Sequence, residues 1–166
     1  MTDLINNAGI STPDHPKETV GSIARSQMMD VFNTNVASVA AVTTASGVLE
    51  GSGGKVVNIR SGMGSLSITK ATSTYSPSYR CSKAALNMLT VCFAKDFPET
   101  SFAAVHPGWV QTDMGGSGGR TADIGVEESA GGIVKVHSPP PIPTIQHLTT
   151  YHILISLYTY FLFRCY

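Results

Sequence analysis

Charge is scarce in this chain. Asp, Glu, Lys and Arg make up 13% of its 166 residues, with 11 basic and 11 acidic side chains. About a quarter is usual, so much of the surface is meant to be covered. The even balance, without a basic stripe or a run of like charges, argues against a nucleic-acid partner and against a charged tail. Cysteine is scarce too: Cys81, Cys92 and Cys165 are odd in number and never spaced C-x-x-C. They give neither a disulfide framework nor a zinc site, and they fit a reducing, cytoplasmic setting. The five histidines, from His15 to His152, form no H-E-x-x-H pair. The opening MTDLINNAGI has no basic flank before an apolar core and is not a signal peptide. No apolar run reaches the roughly 20 residues of a membrane helix. The longest candidate, Leu148 to Phe163, is interrupted by His152 and several threonines, so a membrane tether is the least favoured reading.

What is present is a globular composition, 42% hydrophobic, in a length that suits one domain. Leu4 and Ile5 end a buried strand. Met28, Val31, Phe32, Val36, Val39 and Ala40 recur at helical spacing and predict a helix from about Gln27 to Leu49. Lys55–Ile59 (KVVNI) and Ser101–Val105 (SFAAV) are short β-branched or apolar runs that read as strands. A loop rich in Ser, Thr and Gly fills 62–76. Pro77 opens a helix that Pro98 stops. Val126 to Val136 predicts one more helix. Alternating strands and helices predict a parallel α/β sheet. Right-handed crossovers then place the first two helices on one face. The other face is left to the Val126 helix, although parallel strands are normally covered on both sides. Residues 1–137 read as one partial domain. Residues 138–166 read as a proline-rich link followed by an apolar, aromatic tail, which looks more like an altered reading frame than a packed element.

Tyr79 and Lys83 stand four apart, on one face of the predicted helix. An ammonium beside a phenol lowers the phenol's pKa from near 10. A phenol tuned in this way can donate or accept a proton, which suits carbonyl reduction or alcohol oxidation. Alone, such a pair also occurs as a surface lysine beside a packed tyrosine.

Five segments in order resemble the short-chain dehydrogenase/reductase family: INNAGI (5–10), VFNTNVAS around Asn35, VVNIRSGMG around Ser61, YRCSKAAL (79–86) and HPGWVQTDM (106–114). The Tyr79 segment and the long loop before it are most similar to the C-factor or sniffer-like carbonyl-reductase branch. The resemblance implies a partial Rossmann-type doubly wound parallel sheet, strands four to six of the family fold. It implies an NAD(P)-dependent oxidoreductase acting on a small carbonyl or alcohol substrate, with NADP favoured over NAD. Tyr79 would be the general acid or base. Lys83 would lower its pKa and bind the nicotinamide ribose. Ser61 would polarise the carbonyl, and Asn35 would hold a relay water behind Lys83. Asn7, Ala8 and Gly9 would lie beside the adenosine-side ribose. Pro107, Gly108, Val110 and Thr112 would line the nicotinamide end. Taken singly, each has a plain alternative: Asn7 as a turn residue, Ser61 as a strand-end serine, Asn35 as a solvent-facing helical asparagine, and Pro107 and Gly108 as turn residues.

Three departures stand out. The glycine-rich strand–turn–helix that cradles the family's pyrophosphate is absent, and the Gly115–Gly119 run follows the last strand instead of opening such a unit. Arg60 occupies a position where the family has a small residue. The tail replaces the family's last strand. The resulting expectation is weak or no activity for the chain by itself. An inactive remnant that pairs with itself or with a full-length relative stays open as the alternative.

Overall fold

The computed structural model describes residues 3–137; the tail expectations lie outside them. Three parallel strands, β1 (Asp3–Asn6), β2 (Lys55–Ile59) and β3 (Ser101–Val105), form a sheet in that order. The strand positions match the sequence expectation. Around them lie α1 (Arg25–Phe32), α2 (Ser38–Ala45), α3 (Leu66–Ala71), α4 (Pro77–Asp96), α5 (Asp113–Gly116) and α6 (Val126–His137).

The strand alternation sorts the core. Val56 of β2 and Phe102 of β3 pack with Val48 and Phe93, backed by Ala40 of α2 and Leu89 of α4. Phe93 and Phe102 stack with centroids 5.6 Å apart, a pairing that adds about 1 kcal/mol to the area they bury. Val57, Ile59, Ala103 and Val105 face the other way and meet Ile133 of α6. Two helical blocks on one face and α6 on the other is the arrangement the crossover rule predicts. Coverage by α6 stops short of β1, where Ile5 is 42% exposed. Among the described residues β1 pairs on one side only.

A polar ladder fixes the helices to the sheet. The Asn6 side chain donates to Thr43 Oγ1 on α2 at 3.1 Å and to Asn58 Oδ1 on β2 at 2.8 Å. Asn58 donates to Thr90 Oγ1 on α4 at 2.9 Å, and Thr90 returns its hydroxyl proton to Leu86 O. Asn58 and Thr90 are buried, so each bond left unmade would cost about 1–3 kcal/mol. The ladder sets the depth at which α4 lies on the sheet, and α4 carries Tyr79 and Lys83.

The predicted helix over Gln27 to Leu49 differs from the structure in an informative way. It is interrupted by a π-helical turn, Asn33–Ala37, between α1 and α2. The wider turn brings Asn35 inward, where it is fully buried. Within the loop over 62–76 the structure contains a 3-10 turn, Gly62–Gly64, and the short α3. Arg80 holds this loop: Nε donates to Tyr75 O at 2.7 Å, Nη2 to Ser73 O at 2.6 Å and Nη1 to Thr69 Oγ1 at 3.0 Å.

Candidate functional site

The carboxyl ends of the three strands carry nearly all the residues that the sequence singles out, the edge where open α/β sheets bind ligands. β1 runs into Asn7, Ala8 and Gly9, β2 into Arg60 and Ser61, and β3 into Pro107 and Gly108. The first turns of α4 lie above them.

Ser61 ends β2, and its Oγ accepts a hydrogen bond from Met63 N at 3.1 Å, capping the 3-10 turn. It also bonds the side chain of Tyr79. Gly64 lets this turn lie directly on α4: a Cβ there would come within 2.7 Å of the Lys83 carbonyl carbon and 2.8 Å of Ala84 N. Tyr79 is half-buried. Burial raises its pKa above the usual 10, and the Ser61 bond works in the opposite direction. Lys83 is buried, and its Nζ donates to Ile59 O at 2.8 Å. Burial lowers its pKa to about 8. Nζ lies 5.7 Å from the Tyr79 ring centroid. The sequence expectation that Lys83 lowers the pKa of Tyr79 is thus not met here. Nζ is turned to the strand carbonyl, and desolvation of the phenol dominates.

Asn35 is not the solvent-facing asparagine of the plain reading. Its Oδ1 accepts from Ile10 N at 2.9 Å, and its Nδ2 donates to Ile10 O at 2.9 Å and to Ser82 Oγ at 3.0 Å. This clamp fixes the backbone just past Gly9. A Cβ on Gly9 would lie 3.4 Å from both Asn35 Oδ1 and Lys83 Nζ, so the glycine brings the chain close against both groups. Asn7 and Ala8 are exposed at the end of β1.

On the far side, Gly108 takes φ 87°, which favours glycine, and a Cβ there would meet Ile124 at 2.5 Å. Pro107 O accepts from Ser129 Oγ of α6 at 2.7 Å. Val110 forms an isolated bridge with Ile124. Thr112 Oγ1 accepts from Gly115 N at 3.2 Å and so caps α5. Arg60, the departure noted in the sequence, is 2% exposed, and its Nη1 makes only a long bond, 3.4 Å, to Ser61 O.

Sequence reasoning missed a polar cluster at the mouth of the site. The His15 ring lies 6.1 Å from that of Tyr79. Its Nδ1 pairs with Ser76 Oγ and its Nε2 with Arg120 Nη2. Arginine only donates, so Nε2 is the acceptor and Nδ1 carries the proton. Burial, followed by the charge of Arg120, lowers the pKa of His15 and keeps it neutral. Glu18 is buried, and its carboxylate accepts from Ser78 N at 3.1 Å and Ser78 Oγ at 2.6 Å, at the positive end of α4. A cleft of about 290 Å³ opens beside this cluster, lined in part by Gly9, Thr12, His15, Met114 and Ser117. Among the described residues no cluster of side chains fits a metal ion, and no helix is long and apolar enough to cross a membrane.

The chain is similar to known proteins over most of the described region. The family model described as short chain dehydrogenase matches residues 2–123. The C-signal protein of Myxococcus xanthus is 36% identical over 137 residues, covering 80% of this chain and 78% of that protein. The crystal structure of NADPH-bound carbonyl reductase from chicken fatty liver superposes with TM-score 0.69 at 35% identity, over 83% of this chain and 58% of that one. Carbonyl reductase Sniffer of D. melanogaster gives TM-score 0.68 at 30% identity, over 82% and 58%. The chain therefore spans a little under three fifths of each of those two structures. By sequence and by fold, this chain belongs to the short-chain dehydrogenase family.

Proposed function

We propose that the chain carries the catalytic part of an NADP-dependent carbonyl reductase, working on a small aldehyde or ketone or on the corresponding alcohol. The observation that carries this reading is the convergence of Ser61, Tyr79 and Lys83, from the end of β2 and from α4, next to His15, which lines the cleft. NADP is favoured because the similar chicken reductase is NADPH-bound. Lys83, Pro107, Gly108, Val110 and Thr112 would hold the nicotinamide half, with Asn7, Ala8 and Gly9 beside the adenosine-side ribose, and the absence of a side chain at Gly9 and Gly108 leaves room for close approach. The cofactor would supply the hydride.

The protein's part is positioning and proton transfer. Ser61 orients the carbonyl oxygen toward Tyr79. Tyr79, kept protonated by burial, gives its phenolic proton to that oxygen as the carbonyl carbon is reduced. Lys83 binds the ribose with the N–H groups not given to Ile59. Asn35 acts through its clamp on Ile10, which sets the backbone beside Lys83. Residues 1–137 form the working unit in this reading.

Tyr79→Phe tests the assignment. NADPH consumption with a panel of aldehydes is expected to fall by about a hundredfold or more, the usual contribution of a positioned acid, while cofactor binding persists. Unchanged turnover in that variant would exclude Tyr79 as the proton donor.

A further inference from the structure

Arg120 lines a hollow that adjoins the cleft through His15 and Ser117, and among the described residues its side chain bonds no carboxylate. Its Nε donates to Ser117 O at 3.0 Å, Nη1 to Tyr75 OH at 3.2 Å, and Nη2 to His15 Nε2 at 3.0 Å and Ser117 Oγ at 3.1 Å. All four acceptors are neutral. The guanidinium carbon sits 5.6 Å from the centroids of both Tyr75 and Trp109, so aromatic faces fix it without neutralising it. A second guanidinium, Arg80, lies 5.1 Å from the same Tyr75 ring. The one buried carboxylate nearby, Glu18, is committed to Ser78. Asp113 shares the outer hollow with Arg120, yet none of the four bonds goes to it. His15 and Ser117, which hold Arg120, also line the cleft beside Tyr79.

We propose that the cleft selects a carbonyl compound that carries a carboxylate, an oxo acid, and that Arg120 is the residue that reads the acid. One guanidinium N–H, on Nη1, is left over by the four bonds. A planar carboxylate can take it and compete with neutral Ser117 for a second, a geometry that arginine favours. His15 separates Arg120 from Tyr79 by the width of one ring. That spacing places the acid a few bonds from the carbonyl, as in an aromatic or medium-chain oxo acid. This selectivity rests on the reading of Tyr79 as the proton donor to that carbonyl.

The test uses the full 166-residue chain with para-formylbenzoate and its uncharged methyl ester as probes. Binding is followed by the emission of Trp109, the single tryptophan, which stacks on Arg120. The acid is expected to bind at least about tenfold more tightly than the ester, as a charge-assisted bond implies. Arg120→Gln should bring the two affinities to within about twofold of each other, and Arg120→Lys should keep part of the preference. Equal affinities in the wild-type chain, a preference that survives Arg120→Gln, or no binding of either probe would each overturn the proposal. General damage to the loop would weaken both probes together and leave their ratio intact. NADPH-dependent turnover is read in parallel. Selective binding without turnover would sustain the proposal and sink the reductase reading. Turnover of both probes with equal kcat/KM would do the reverse.

Discussion

Lys83 is a cation buried against one neutral carbonyl, and that position sets a pH dependence. Its pKa falls from 10.5 to about 8 on folding. Below pH 8 the folded state bears the cost of the buried charge. Between about 8 and 10.5 the unfolded chain keeps the proton while the folded one releases it, so stability rises with pH across that window. Lys83→Met is expected to stabilise the fold by roughly 2–3 kcal/mol at pH 7 and by much less at pH 10, measured by urea unfolding at both values. An equal effect at both would contradict the buried-charge description. The same numbers bear on catalysis. Tyr79, raised by burial, stays protonated through neutrality, which favours the reductive direction. The kcat/KM for reduction should hold near pH 7 and fall as pH climbs through about 8, where Lys83 loses its charge. A profile rising through that range would exclude this arrangement. Tyr79 and Lys83 were legible as candidates from their four-residue spacing, and Ser61 from the motif around it. The sign of Tyr79's shift was not, because it depends on where Nζ points, which spacing alone does not determine.

At the scale of the element, two devices hold the site, and each gives a prediction. The first is the π-helical turn that turns Asn35 inward. Asn35→Ala would leave the Ile10 N–H and C=O without their partners and is expected to cost about 2–4 kcal/mol in thermal or urea unfolding. A loss below about 0.5 kcal/mol would mean the clamp is idle. The second is the contact of the Gly62–Gly64 turn with α4. Gly64→Ala would push a methyl group onto α4 backbone and is expected to cost about 1–3 kcal/mol, with turnover falling through displaced Ser61. Gly116→Ala, where a Cβ meets nothing within 4 Å, is the control and should be close to neutral. The strands, α4 and α6 were readable from composition, proline and periodicity. The π turn was not, since Val31, Phe32, Val36 and Val39 keep a helical rhythm across it. Nor was α3, whose Leu66 is 85% exposed and contributes no apolar stripe. The short helix after Thr112 was hidden in a glycine-rich run that reads as loop.

At the scale of the molecule, the site depends on contacts between segments far apart in sequence. Asn6, Thr43, Asn58 and Thr90 form one ladder from four elements, and His15 meets Arg120 across more than a hundred residues. None of these carries a local signature, because short polar residues read alike in turns, strands and helices until their partners are known. Motif order gave the family and the strand-end location of the site. It did not give the polar cluster that borders the cleft. The two faces of the sheet are also unequal: α2 and α4 pack against one side, while on the other Ile5 stays 42% exposed beyond the reach of α6.

The most direct measurement is a titration of the folded 166-residue chain with NADPH, followed through Trp109 beside Gly108. A strand-end nicotinamide site predicts saturable quenching that is lost when Tyr79→Phe and Lys83→Ala are combined. No response up to millimolar NADPH, or quenching indifferent to that double substitution, would contradict it.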